Sequence, residues 1–261
     1  MVTEPANDPL ARFRAQDLDA AMADATRKQG VVTPMFDVIA PRYDAFTRLF
    51  SFGMDSTWKA ALINAVVARA SAARSALDVA CGTGDLAFSL AKRLPALRVT
   101  GVDPSAEMLT IANARITAGS DRRVDFHLGE MASLPVASSS VDVVTAGYGF
   151  RNVPDLAAAV EECARVLRPG GTLGSLDFFV PANPLWRTVF LWYLRASGNL
   201  VGWWWHRTPA IYGYIARSIA AFVTAEEFSA LLKRHGFTVV ESRSMLLGGI
   251  ALHIAVRDNA V

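Results

Sequence analysis

Between Ala76 and Phe178, short apolar runs alternate with amphipathic stretches, and this alternation constrains the fold more than any other feature of the 261-residue chain. The runs are 76–80, 98–102, 124–128, 141–146 and 172–178, each of strand length. Helical patterns fill the gaps at 86–94, 106–117 and 156–167. A strand, a helix and a further strand imply a crossover, so the runs are expected to form a parallel, doubly wound α/β sheet. Ligands of such sheets sit beyond the carboxyl ends of the strands where the strand order reverses, here beside the first strand. Two later runs, near 238–243 and 251–257, are joined by Leu247-Gly248-Gly249. That connection is too short for a crossover, so these strands should pair antiparallel.

The flanks carry the remaining apolar residues. Two helical patterns occupy 35–74, the second expected to begin after Asp55 or Ser56 as its N-cap. Residues 1–30 read as a tail able to form a helix on docking and 31–261 as the catalytic domain, with 179–222 a helical insertion. From 178 to 225 there is no acidic residue, whereas Trp186, Trp192, Trp203, Trp204 and Trp205 crowd the segment together with Arg187, Arg195 and Arg207. A buried helical insertion is one reading. The favoured one is a lid over a greasy substrate with an edge that faces a membrane. The net charge of +2 and the lack of Lys/Arg clusters interleaved with aromatics argue against a nucleic-acid partner. Cys81 and Cys163 imply no disulfide framework, no metal set is expected, and no stretch reaches the roughly 18 apolar residues of a membrane span. The expected location is the cytoplasm, peripheral to the inner membrane, with a homodimer among the expected assemblies.

The first strand ends in Asp78-Val79-Ala80-Cys81-Gly82-Thr83-Gly84-Asp85. Gly82 and Gly84 remove Cβ atoms that would keep a ligand from the backbone, and the next helix offers free N–H groups. Gly82, Gly84 and Ala87 also satisfy the dinucleotide fingerprint, so a nicotinamide cofactor is a rival. Asp78 separates the two: a carboxylate repels a pyrophosphate and is compatible with the ammonium and sulfonium of S-adenosyl-L-methionine. Asp103, ending the second strand, can accept both ribose hydroxyls of either cofactor. Glu130 and Met131 follow the third strand and are expected to flank an adenine. Tyr148, Arg151 and Asn152 stand at the open end of the fourth.

With these residues in view, the chain from Met35 to Arg257 resembles the ubiquinone/menaquinone biosynthesis C-methyltransferases. The resemblance is carried by Met35-Phe36-Asp37, Ile39 through Asp44, Ser51-Phe52-Gly53, Leu77 through Leu86, Gly149 through Val153, Arg165 through Gly171 and Gly248 through His253. It implies a seven-stranded class I methyltransferase (Rossmann-like) sheet, mostly parallel with an antiparallel last strand, and methylation of a ring carbon of a polyprenylated quinol. It also implies cofactor contacts at Thr83, Asp103, Glu130, Met131 and Gly147, with Tyr43, Tyr148, Arg151 and Asn152 around the acceptor. Departures from the family pattern at Phe46-Thr47, at 176–181 and at 212–219 point to an altered lid and acceptor pocket. A different hydroxylated aromatic acceptor, methylated on carbon or oxygen, is therefore the second enzyme reading; a non-catalytic quinone- or lipid-binding partner is a third. In the expected chemistry Arg151 stabilises a phenolate, and His253, or a water held by Tyr43 or Asn152, takes the phenolic proton. A purely structural role for His253 in the last strand is the alternative.

Overall fold

The computed structural model describes residues 25–119, 122–206 and 210–259. Its strands are β1 Ser75–Val79, β2 Arg98–Asp103, β3 Val124–Leu128, β4 Val141–Gly147, β5 Leu167–Phe178, β6 Phe237–Met245 and β7 Ile250–Arg257. They form one seven-stranded sheet in the order β3-β2-β1-β4-β5-β7-β6. The first five pair in parallel, whereas β7 runs antiparallel to both β5 and β6. The order reverses at β1, so the crevice lies above its carboxyl end, between β2 and β4.

The helices are α1 Ala25–Ile39, α2 Tyr43–Phe50, α3 Met54–Arg69, α4 Asp85–Arg93, α5 Ala106–Gly119, α6 Leu156–Val166, α7 Pro184–His206, α8 Ala210–Ala220 and α9 Ala225–Arg234. Alternation along the strands divides the core. Ala76 of β1 and Val143 of β4 join Leu62 and Val66 of α3 and Leu90 of α4 on one face. Leu77, Val79 and Val144 join Val160 and Cys163 of α6 and Phe228 of α9 on the other. By the same period Asp78 and Thr145 point to the α4 side, which determines what Asp78 can touch.

Helix α3 differs from expectation. It starts at Met54, one residue after Gly53, whose φ of 77° is left-handed, and neither Asp55 nor Ser56 is its cap. The Ser51 hydroxyl instead accepts the Asp55 N–H at 3.1 Å. Asp55 thus lies in the first helical turn, where its charge suits the helix dipole, and its carboxylate is not consumed by capping.

The proposed insertion at 179–222 contains α7 and α8, packed together through Phe190, Leu194, Ala216 and Ile219. Residues 1–24 of the expected tail and Arg207 lie outside the described residues, as do the side chains of Phe46, Trp205 and Tyr212; residues 25–30 open α1.

Candidate active site

The turn after β1 is held open by unusual backbone. Ala80, Gly82 and Gly84 all have positive φ (50°, 54° and 88°), a conformation natural to glycine and strained for Ala80. At Gly84 an added Cβ would lie 2.5 Å from the Phe126 ring, so glycine lets the loop seat against β3. At Gly82 an added Cβ would meet nothing within 4 Å. Its N–H donates to Asp103 Oδ2 at 2.8 Å, joining the ends of β1 and β2.

Asp103 also accepts the Ser105 N–H on Oδ1 at 2.8 Å. Burial pushes its carboxyl up to about 6, with the two backbone donors opposing the shift. A carboxylate offers roughly four lone-pair sites, and two donors leave acceptor capacity facing a cavity of about 290 Å³. Gly82, Asp103, Glu130, Met131 and Gly147 all line this cavity, which Val32 and Phe36 of α1 close from above. Apolar walls with a few polar groups are the usual form of a small-molecule site. The acceptor capacity left on Asp103 and the open face of Gly82 fit an adenosyl ligand.

Asp78 and Thr83 take positions behind the loop. Asp78 accepts the Thr145 hydroxyl at 2.7 Å and the Ala87 N–H of α4 at 3.1 Å, and burial raises it to about 7. It fixes the first turn of α4 against the sheet. Thr83 donates to Asp44 Oδ1 at 3.0 Å. Both line a recess of about 40 Å³ bordered by Gly82, Leu86 and Gly147. Gly84 lines neither space; its part is the turn itself.

On the acceptor side, Tyr43, Tyr148 and Asn152 border the 290 Å³ cavity. Tyr43, Tyr148 and Arg151 also border a second one of about 40 Å³, together with Asp55, Trp58, Phe178 and Tyr214. Arg151 is anchored: Nη1 donates to Asp177 Oδ1 and to the Tyr148 carbonyl, each at 2.8 Å, and its backbone N–H donates to Asp177 Oδ2 at 3.1 Å. Asn152 donates to the Tyr148 carbonyl and accepts the Tyr214 hydroxyl, both at 3.0 Å. Burial raises the Tyr43 phenol to about 12 and lifts that of Tyr148 well above its usual value, so both remain proton donors at neutral pH.

His253 stands apart from these groups. It lies on the α6/α9 face of β7 with its ring edge against Phe179 and Phe228, and its Nε2 lies 3.1 Å from the Ala225 carbonyl. It lines none of the cavities, and burial lowers it to about 4. This geometry favours the structural alternative over a base.

The sequence pattern did not single out Asp55, Lys59, Asp177 or Tyr214 as site residues. The i,i+4 spacing of Asp55 and Lys59 on one helix was the available signal; the two pair at 2.8 Å.

The family model for the ubiE/COQ5 methyltransferase family matches residues 22–257. A demethylmenaquinone methyltransferase of Chlorobaculum parvum is 35% identical over 89% of this chain and 95% of its own. A ubiquinone/menaquinone biosynthesis C-methyltransferase of Syntrophotalea carbinolica is 37% identical over 86% and 93%. Among solved structures, geranyl diphosphate C-methyltransferase from Streptomyces coelicolor superposes with a TM-score of 0.59 at 16% identity, covering 77% of this chain and 79% of its own. The YcgJ protein of Bacillus gives 0.58 at 18% identity, covering 78% and 100%. At such identities the two structures establish the seven-stranded fold alone, whereas the family match spans nearly the whole chain: it belongs to the ubiE/COQ5 methyltransferase family.

Proposed function

We propose that the protein transfers the methyl group of S-adenosyl-L-methionine to a ring carbon of a lipophilic quinol, of the demethylmenaquinol or polyprenyl-methoxy-benzoquinol type. One observation carries this reading: the cavity at Gly82 and Asp103 and the smaller one at Arg151 share Phe36, Tyr43 and Tyr148 as a common wall. A donor in the first therefore adjoins a ring in the second. The names of the relatives from Chlorobaculum and Syntrophotalea support the same class of acceptor.

When bound, the donor supplies an electrophilic methyl on a cationic sulfur. The chain's own residues do the rest. Asp103 and Gly82 hold the ribose end, and Glu130 and Met131 flank the base. Phe36 and Val32 give the cavity an apolar wall, and such a lining strengthens charge interactions beside it. Ring carbons become nucleophilic when a phenolic proton leaves, and Arg151, its charge paired with Asp177, offers that anion the N–H of its unpartnered Nε. Tyr43 and Tyr148, held protonated, can donate to the ring oxygens. Alignment of carbon and methyl supplies much of the remaining rate. Incubation with methyl-labelled donor and a panel of demethylated quinols should give a labelled product whose mass and fragmentation place the methyl on carbon. Label on oxygen, or only in a non-quinoid aromatic, would move the assignment to the second enzyme reading.

A membrane edge forms part of this reading. Leu185, Val189, Trp192, Leu200, Trp203 and Trp204 are exposed and fall on one side of α7 at helical spacing. Trp192, Trp203 and Trp204 are each at least 60% exposed, and Arg187 and Arg195 share the helix. Aromatic side chains with arginine suit the headgroup boundary of an anionic bilayer. No described helix is long and apolar enough to cross a membrane. Sedimentation with anionic vesicles should pellet the protein, and replacing the three tryptophans with serine should leave it in the supernatant. If the stripe instead joins two copies, light scattering will show a dimer dissociated by the same changes.

A further inference from the structure

Three buried side-chain atoms without a hydrogen-bond partner belong to residues around the 40 Å³ cavity: Asp55 Oδ1, Tyr148 Oη and Arg151 Nε. Among the described residues only two other side-chain atoms share that condition, Ser175 Oγ and His253 Nδ1, on residues that face each other across β5 and β7. A buried polar atom left unpaired costs about 1–3 kcal/mol. Three of them, one from the first turn of α3 and two from the connection after β4, around one space, are the signature of a site whose partner is a ligand. Two are donors and one is an acceptor. A phenolic hydroxyl, which both donates and accepts, satisfies such a set.

We propose that Asp55 is the catalytic base: its Oδ1 accepts the proton of the acceptor's ring hydroxyl, whose edge enters this cavity between Tyr148 and Arg151. This deepens the quinol reading and rests on it. Elimination supports the assignment. The other titratable groups around the cavity are Tyr43, Tyr148, Arg151 and Tyr214. Burial raises the three phenols; it would lower Arg151, but Asp177 together with Tyr43 and Tyr214 keeps it raised. All four hold their protons at neutral pH. After burial, the Asp55 carboxylate raises the Tyr148 phenol further by its charge and by a side-chain hydrogen bond too poorly aligned to satisfy either atom.

The other carboxylate oxygen is fixed. Asp55 Oδ2 pairs with Lys59 Nζ at 2.8 Å, and the same ammonium meets Asp85 Oδ2 at 2.9 Å. Burial would lower Lys59, but Asp85 and Asp55 hold it raised and charged. Asp85 in turn pairs with Arg115 at 2.7 Å. The base is thereby tethered to the first turn of α4, directly after the cofactor loop.

The step balances. The O–H bond breaks, the proton passes to Asp55 Oδ1, and its electron pair stays on oxygen and spreads to the ortho carbon. That carbon forms a bond to the methyl as the sulfur–methyl bond breaks, its pair remaining on sulfur as a thioether. The ring hydrogen then leaves as a proton to water, and Asp55 returns its own proton to the ring oxygen.

The test compares two quinol acceptors, one ordinary and one carrying electron-withdrawing substituents that leave its hydroxyl ionised at the assay pH. Wild-type protein should methylate both; failure with both counts against the quinol reading rather than against Asp55. Asp55→Asn should lower kcat on the ordinary acceptor about 100- to 1,000-fold with donor affinity unchanged by calorimetry, and lower it less than about tenfold on the pre-ionised one. Asp55→Glu, which keeps the charge beside Lys59, should recover at least about tenfold over Asn on the ordinary acceptor and stands as the second variant should Asn fail to fold. Equal losses on both acceptors, a wild-type rate for Asp55→Asn on the ordinary one, or an Asp55→Glu variant no more active there than Asp55→Asn, would overturn the proposal.

Discussion

Arg151 Nη1 lies 2.8 Å from Asp177 Oδ1, with the two side chains 5% and 1% exposed. The guanidinium beside the acceptor cavity is therefore half of a desolvated ion pair, and its charge is already largely balanced. What it offers the cavity is the unpaired Nε and a fixed dipole rather than a free cation. Removing one partner of such a pair leaves a buried, uncompensated charge, at a cost of about 3–5 kcal/mol. Asp177→Ala and Arg151→Ala should each destabilise by about that amount in urea unfolding. The double replacement Arg151→Met with Asp177→Leu should recover much of the stability and none of the activity. Additive losses in the double variant would contradict the pairing.

Two buried groups give opposite pH signatures. Asp78 titrates near 7 in the folded chain against about 3.9 when unfolded. The native state keeps a proton that the unfolded chain has released, so this group's contribution to stability falls as pH rises from about 4 to 7. His253 titrates near 4 against about 6.5 unfolded, so its contribution is lost as pH falls through that interval. Relative to wild type, Asp78→Asn should gain stability as pH rises from 4 to 7, and His253→Gln should gain it as pH falls from 6.5 to 4. Thermal melts at half-unit pH steps read both differences.

His253→Gln also separates core from catalysis. With the ring packed against Phe179 and Phe228 and outside the cavities, the variant should lose stability but keep kcat within about threefold at a temperature where it is folded. A 100-fold loss of kcat without destabilisation would restore the ring as a base.

Donor affinity should depend on the ionisation of Asp103. Hydroxyl donors bind the carboxylate better than the acid, and burial holds this group near 6. Titration calorimetry should show binding weaken as pH falls through 6. Asp103→Ala should weaken it about 10- to 100-fold, from the charge-assisted bonds lost, and abolish that pH dependence.

The doubly wound core was legible because each strand and helix carries its own periodicity; the antiparallel end followed from the short Leu247–Gly249 link. Strand β5 begins at Leu167, earlier than its apolar run, because Leu167 already pairs with Val141; the register then skips the polar Arg168–Gly171 stretch and resumes at Thr172 opposite Val143. Asp103, Glu130, Met131 and Gly147, singled out at or just after strand ends, line one cavity in the fold. Asp55 was not: an aspartate ahead of a helical pattern resembles a cap, and only the left-handed Gly53 and the Ser51 hydroxyl free it. For His253, alternation in β7 sets it with Ala251 and Ala255 against Ile250, Leu252 and Ile254. Which of those faces meets the cavity is a tertiary fact that no local pattern records.

We place the donor over Gly82 and Asp103 with its reactive end toward Tyr148. A crystal structure with S-adenosylhomocysteine tests this placement most directly. Ribose oxygens are expected within hydrogen-bond distance of the Asp103 carboxylate, the adenine beside Met131, and the thioether sulfur facing the wall shared with the Asp55–Arg151 cavity. Density for the ligand elsewhere, or ribose oxygens held by another residue with Asp103 untouched, would contradict it.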